Sequence, residues 1–451
     1  MRQMNFALAL LTAAALAACG GTGSSGGDQT HKVVFTQQVT FGDSLSDVGS
    51  YNVGAVTAAG GGKFTINGDS TSTNPALTGL NWTEVLAAEL RLPKPCAAQT
   101  GLQGLDNANP ALDFNVPIVN NSNCFNYAQG GARVTNPIGP GNRAVKPELG
   151  EMTVPVVTQV ANHLAKTGGK FTGTELVTIM AGGNDVLMQL GALSAGATAA
   201  GTRAGTAAFP ALLIGGLVAT VPAANQATAQ TNITTAVQTT AAGGGTQTQI
   251  ATAAVTAAAQ LGAPLAAAQA AAAKAGVDAQ AAGTAAGNQY AATEGPKLVA
   301  ELGKAGAELA AIVNTQILDK GAKYIVVNNL PDVASTPSGK AQSAATQQLI
   351  MAMVDAFNNQ LKANLRNDPA IAYVDLFTVS KDQVANPAIY GLTNTALKAC
   401  TTESSLTCTI KTTSAPDVSH YMFADDIHPT PYEYWLVTRY VLKDMAVKGW
   451  L

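Results

Sequence analysis

His428 lies in the run Asp425-Asp426-Ile427-His428-Pro429-Thr430. A carboxylate three residues before an imidazole can fold back in a tight turn and accept the Nδ1–H. That leaves Nε2 free to act as a base near neutral pH. Pro429 and the helix expected after it would pin the turn, although the same spacing also serves a purely structural turn. Of the other histidines, His31 adjoins a Gly/Ser-rich tract, His163 falls in a polar helix-like stretch and His420 in a loop. A base needs a nucleophile, and Ser44 is the best candidate. It sits in Gly42-Asp43-Ser44-Leu45-Ser46-Asp47, directly after a β-branched, apolar stretch over 33–41. The ends of parallel strands are where α/β sheets bind ligands. A helix starting at Ser44 would add N–H groups that favour developing negative charge, or Ser44 could merely cap that helix. Asp43 and Asp47 read as turn and helix-start residues. Two other segments offer donors for an oxyanion: the backbone of Asn126-Tyr127-Ala128-Gln129-Gly130-Gly131-Ala132, and the side chain of Asn184 in Gly182-Gly183-Asn184-Asp185. A hydroxyl, a base, an orienting acid and oxyanion donors are the set that acyl transfer needs.

The elements that must position these groups follow from periodicity. Short apolar runs predict strands at 33–41, 176–181, 324–328 and 371–376. Helical spacing predicts helices over 81–90, 347–365 and 431–446, the second with Ile350, Met353, Val354, Phe357 and Leu361 on one stripe. Residues 93–123 read as a Pro/Asn-rich loop. Strands alternating with helices indicate an α/β fold with a mostly parallel sheet. The segment 191–294 breaks that rhythm. It is rich in Ala, Thr, Gln and Gly, with almost no charge, and reads as an insertion of Ala-rich helices interrupted at Gly243-Gly244-Gly245. Its apolar patch at Leu212, Leu213, Ile214 and Leu217 fits either a lid over the site or a buried helix. The one Gly-x-Ser-x-Gly match, Gly23-Ser24-Ser25-Gly26-Gly27, falls in the Gly/Ser-rich tract and not between a strand and a helix. No His-Glu-x-x-His or phosphate-loop motif occurs, and Gly60-Gly61-Gly62-Lys63 is followed by Phe64 and reads as a loop.

Phe41-Gly42-Asp43-Ser44-Leu45-Ser46-Asp47 resembles the first block of the GDSL, or SGNH, lipase/acylhydrolase family. Gly131, with Gly130 adjacent, resembles the second block, Gly182-Gly183-Asn184-Asp185 the third, and Asp425-x-x-His428 the last, all in family order. The resemblance implies that Ser44 is the nucleophile, His428 the general base and Asp425 its orienter. It also implies an oxyanion hole of the Ser44 N–H, the Gly131 N–H and the Asn184 side chain. Asp426 stands where family members often carry Gly. The implied fold is a three-layer α/β/α sandwich, like flavodoxin, with about five parallel strands. The implied reaction is ester hydrolysis through an acyl-serine, with no metal or cofactor. Acyl esters or lipids are the favoured substrates. Carbohydrate acetyl esters, an acyltransferase with the same triad, and a non-catalytic surface-binding lipoprotein stand as alternatives.

Composition and the ends of the sequence bear on compartment and partners. The 451 residues carry 25 Lys plus Arg against 28 Asp plus Glu, a net charge of −3, which argues against nucleic acid as a partner. Residues 1–18, with Arg2 ahead of the apolar Phe6–Leu16, read as an export signal. Leu16-Ala17-Ala18-Cys19 resembles the lipobox of bacterial lipoproteins, with Cys19 as the lipidated residue. Residues 19–32 would then be a Gly/Ser-rich tether joining a membrane anchor to a hydrolase domain over 33–451. Gly20 favours the outer membrane by the same resemblance. The other four cysteines suggest two disulfides in an exported chain. Of three possible pairings, Cys96 with Cys124 and Cys400 with Cys408 close the shortest loops.

Overall fold

The computed structural model describes residues 33–68, 79–104 and 114–451. The expected export signal and the whole tether, with Cys19 and His31, lie outside the described residues. In chain order the main elements are β1 (Gln38–Gly42), α1 (Trp82–Glu89), β2 (Gln99–Gln103), β3 (Asn115–Asn120), α2 (Val156–Lys166) and β4 (Leu176–Met180). Then come α3 (Gly183–Val218), α4 (Gln226–Ala242), α5 (Gln247–Gln260), α6 (Leu265–Ile312), β5 (Ile325–Asn328) and α7 (Ala344–Asn364). The chain ends with β6 (Ile371–Val374), α8 (Leu376–Ala385), β7 (Asn394–Lys398), β8 (Tyr421–Phe423) and α9 (Pro431–Val447).

The central sheet is parallel, in the order β1-β4-β5-β6. β4, β5 and β6 read as nearly continuous apolar runs because both faces are covered, while the edge strand β1 carries buried Gln38 and Thr40. In β4, Val177 and Ile179 share a core with Val160 of α2, Leu309 of α6 and Phe357 of α7. The alternate residues Leu176 and Met180 share another with Trp82 and Leu86 of α1 and Val441 and Met445 of α9. Period-two alternation thus divides the apolar side chains between two helical layers, giving α/β/α. Four strands form the sheet rather than about five. At the free edge of β1 a fifth strand is reduced to one bridge, in which Thr40 N donates to Phe125 O (3.0 Å) and Tyr127 N to Thr40 O (2.8 Å). Segment 93–123 is not wholly loop, since β2 and β3 pair antiparallel within it. Both disulfides form with the shortest-loop pairing, Cys96–Cys124 and Cys400–Cys408.

The Ala-rich insertion is a set of long helices continuous with the sheet domain. α3 begins at Gly183, beside the site, and α6 returns to Ile312 in the domain core. Gly243 ends α4, as the triple glycine suggests. Leu213 and Leu217 are fully buried and Leu212 and Ile214 partly so, within a separate core shared with Ile233, Ala254, Ala258 and Ala275. The patch is therefore the inside of the insertion and not an exposed lid surface. Among the described residues no helix is long and apolar enough to cross a membrane.

Candidate active site

Each chemistry-bearing segment sits where a secondary element ends. β1 runs into a turn in which Ser46 N donates to Asp43 O (3.1 Å), and no helix starts at Ser44. Gly42 makes this possible. Its φ is +153°, and a Cβ there would lie 2.3 Å from Met180 O on the neighbouring strand. Gln159 of α2 grips the same glycine, accepting from its N–H (2.9 Å) and donating to its carbonyl (2.8 Å).

The structure brings Ser44, His428 and Asp425 into one hydrogen-bonded line. Ser44 Oγ donates to His428 Nε2 (2.9 Å), and His428 Nδ1 donates to Asp425 Oδ2 (2.8 Å). The backbone N–H groups of Ile427 (2.9 Å) and His428 (2.8 Å) also donate to Asp425, closing the expected turn. Spacing alone would not have found this pair, because Asp417 precedes His420 by three residues as well. There the carboxylate turns to Ser419 and His420 Nδ1 meets Gly391 O (2.7 Å). His163 is buried in the core against Phe41 and Phe171, and its polar helix is in fact half core-facing.

The oxyanion candidates line the same cavity as Ser44 and His428. Gly130 and Gly131 differ sharply in their bonding. The Gly130 N–H donates to Asp47 Oδ2 (2.9 Å), and its carbonyl accepts from Tyr51 OH (2.7 Å). Gly131 has φ +75°, and neither its N–H nor that of Ser44 has a partner among the described residues. Asn184 Nδ2 donates to Ala132 O (2.9 Å), leaving its second amide hydrogen uncommitted. The next residue, Asp185, bonds Arg133 Nε (2.8 Å) and Val134 N (3.1 Å). The start of α3 thereby clamps the loop that carries Gly131.

Sequence reasoning missed several residues that hold this line in place. Ser405 N, inside the Cys400–Cys408 loop, donates to Asp425 Oδ2 (2.7 Å). Asn67 Nδ2 bonds the carbonyls of Ser405 (3.0 Å) and Cys408 (3.1 Å), and the Phe64 ring lies 4.8 Å from the His428 ring. Only the short cysteine loop hinted at the first of these. Asp47 is more than a turn residue, since it accepts from Gly49 N (2.8 Å), Ser50 N (2.7 Å) and the Ser50 hydroxyl as well as Gly130.

Burial opposes ionisation of Asp425, but His428 and the N–H donors outweigh it and hold the carboxyl well below its usual range. Burial likewise opposes the His428 imidazolium. Asp425 prevails, helped by Asp43 and Glu151, and the pKa is raised above the ordinary value. Asp43 and Glu151 themselves are pushed up to about 7, chiefly by burial. A buried hydroxyl, an aligned base with a charged partner and free N–H donors form a site equipped for nucleophilic attack on a carbonyl. The cavity measures about 660 Å³, ordinary for a small-molecule site.

No protein-family model matches the chain. Curated proteins do match over parts of it. Esterase EstA of Pseudomonas aeruginosa is 35% identical over 118 residues, 24% of this chain and 18% of that protein. A GDSL esterase/lipase of Arabidopsis thaliana is 29% identical over 139 residues, 27% of this chain and 38% of its own length. Lipase 1 of Photorhabdus luminescens is 28% identical over 154 residues, 30% of this chain and 24% of that lipase. In these three the match spans well under half of the relative's length. These partial matches make the chain a distant relative of GDSL esterases and lipases.

Proposed function

We propose that the protein hydrolyses carboxylic esters through an acyl-serine intermediate. His428 Nε2 takes the Ser44 proton as Oγ attacks the ester carbonyl, and Asp425 holds the imidazole in the tautomer this requires. The negative charge on the former carbonyl oxygen is met by the Ser44 N–H, the Gly131 N–H and the free Asn184 hydrogen. The departing alcohol takes the proton back from His428. Water then repeats the sequence on the acyl-enzyme and regenerates Ser44. The mechanism assigns no role to a metal or cofactor. The unbroken line from Ser44 through His428 to Asp425 carries this reading.

Apolar walls that include Leu330, Val333 and Met422 favour acyl chains over bare acetyl groups as the bound part of the substrate. The proposal extends to location on sequence grounds. The signal-like segment and Cys19 suit an enzyme anchored by lipid in the cell envelope, at the outer membrane, acting on esters or lipids at that surface. The test is labelling with a serine-directed phosphonate alongside hydrolysis of p-nitrophenyl esters. Ser44 should carry the label, and Ser44→Ala should lose both label and hydrolysis while keeping its circular dichroism. Labelling at another residue, or hydrolysis within threefold of wild type in the variant, would refute the assignment.

A further inference from the structure

The cavity that contains Ser44 also reaches a polar region between α8 and α9. α8 faces the cavity with Leu376, Val379, Ser380 and Gln383, spaced as one side of a helix. The wall is therefore apolar where α8 leaves the sheet and polar two turns later, about 10 Å along the helix axis. Glu433, in the first turn of α9, and Asp332, from the loop after β5, line the cavity too. Gln383, Glu433 and Asp332 are 1%, 4% and 7% exposed.

Their hydrogen bonding is incomplete. Gln383 Nε2 donates to Glu433 Oε2 (3.2 Å), but Gln383 Oε1 has no partner. Turning the amide round would only exchange an orphaned acceptor for an orphaned donor. Asp332 Oδ2 accepts from Ser335 Oγ (2.6 Å), while Oδ1 has no partner. Buried polar atoms are ordinarily satisfied, so two orphans on the wall of one cavity point to something that satisfies them when bound. Nothing in the proposed chemistry at Ser44 uses these groups.

We infer that this region recognises a hydroxyl on the acyl chain, so that the preferred substrates are esters of hydroxy-substituted carboxylic acids. The inference rests on the proposed ester hydrolysis and names its substrate class. A hydroxyl is the smallest group that both donates and accepts. It would donate to Gln383 Oε1 or Asp332 Oδ1 and accept from Glu433, which burial pushes up to about 8 and so keeps protonated near neutral pH. A neutral Glu433 also disfavours an ammonium group, which would want charge on both carboxyls. A site built for a hydrogen bond discriminates against the analogue lacking it, because its own polar groups stay unpaired.

The test uses the full chain and methyl esters of straight-chain acids of graded length, each with and without a hydroxyl at the chain end. For at least one length, kcat/KM of wild type should favour the hydroxy ester by about tenfold, the factor one neutral hydrogen bond supplies. Gln383→Leu and the similarly sized Glu433→Leu should each reduce that ratio to within about threefold of unity. A wild-type ratio near one at every length overturns the inference, as does a preference that survives both substitutions. Failure of the underlying hydrolysis reading looks different: wild type would then cleave neither ester, or Ser44→Ala would cleave both.

Discussion

The candidate active site and the Ala-rich insertion are held together by different means. Around the candidate site, side chains of particular types bridge separate segments of the chain. Asp47 bonds Gly130, Asp185 bonds Arg133 and Val134, and Asp425 takes the Ser405 N–H. In the insertion the contact between α3 and α6 is made by absent side chains. A Cβ on Gly283 would lie 2.7 Å from Gly201 O, and one on Gly205 would lie 3.0 Å from Ala279 O. Glycine costs about 1 kcal/mol per residue inside a helix relative to alanine, and close packing of backbones offsets it here. Several threonines of the insertion turn their hydroxyls back to carbonyls four residues earlier, as Thr231, Thr252 and Thr284 do. One region uses identity at single positions, and the other uses composition. Substitutions should therefore act sharply in the first and leave the chemistry alone in the second.

The largest effect is expected at the acid. Asp425→Asn should lower kcat by a factor on the order of 10³–10⁴, since the imidazole loses the partner that fixes its tautomer. The pH profile gives a second reading. A raised His428 pKa means the base gains its proton, and activity falls, as pH drops through a value above the ordinary ~6.5. In Asp425→Asn the residual activity should persist to lower pH, because the charge that favours the imidazolium is gone. A wild-type profile flat down to about pH 4 would contradict a histidine base.

A smaller effect separates the two disulfides. Cys400–Cys408 closes the loop whose Ser405 N–H holds Asp425, whereas Cys96–Cys124 ties the segment next to β1. Replacing Cys400 and Cys408 by serine should lower kcat by about ten- to a hundredfold, the scale of a small misplacement of a catalytic group. The same change at Cys96 and Cys124 should lower kcat less. Circular dichroism of both variants controls for unfolding. Equal losses of kcat would mean that the bridges act only through overall stability.

The same contrast explains what the sequence could reveal. Apolar runs located all four sheet strands because burial on both faces forces them, and the end of β1 led directly to Ser44. His428 and Asp425 were legible as a pair because their turn spacing came with a resemblance to the last GDSL block; the spacing by itself fits Asp417 and His420 equally. Phe64 and Asn67 were not, because their contacts cross hundreds of residues of chain, nor was Ser405, whose N–H reaches Asp425 across 20 residues by no local spacing rule. The hairpin of β2 and β3 was hidden by its Gln, Asn and Pro content, and the fifth strand by its shrinkage to one bridge. In the insertion composition predicted helices correctly, but an Ala-rich pattern has no marked apolar face, so which side would be buried could not be read.

The smallest effect should come from removing most of the insertion. Ala197 O lies 3.0 Å from where a Gly287 Cβ would be, so α3 and α6 run side by side there and a short linker can join them. Replacing residues 198–286 with a few Gly/Ser residues deletes the whole separate core from Phe209 to Ala279. It spares Leu187, which lines the cavity, and Leu302, Leu309 and Ile312, which belong to the sheet domain. No described residue between 188 and 329 lines the cavity. The shortened protein should therefore fold and hydrolyse short and long acyl esters in the same ratio as wild type. A lost preference for long chains, with short-ester turnover kept, would show that the insertion reaches the substrate by a route other than its buried leucines. Loss of folding would show instead that the two cores are one cooperative unit, despite sharing no residue.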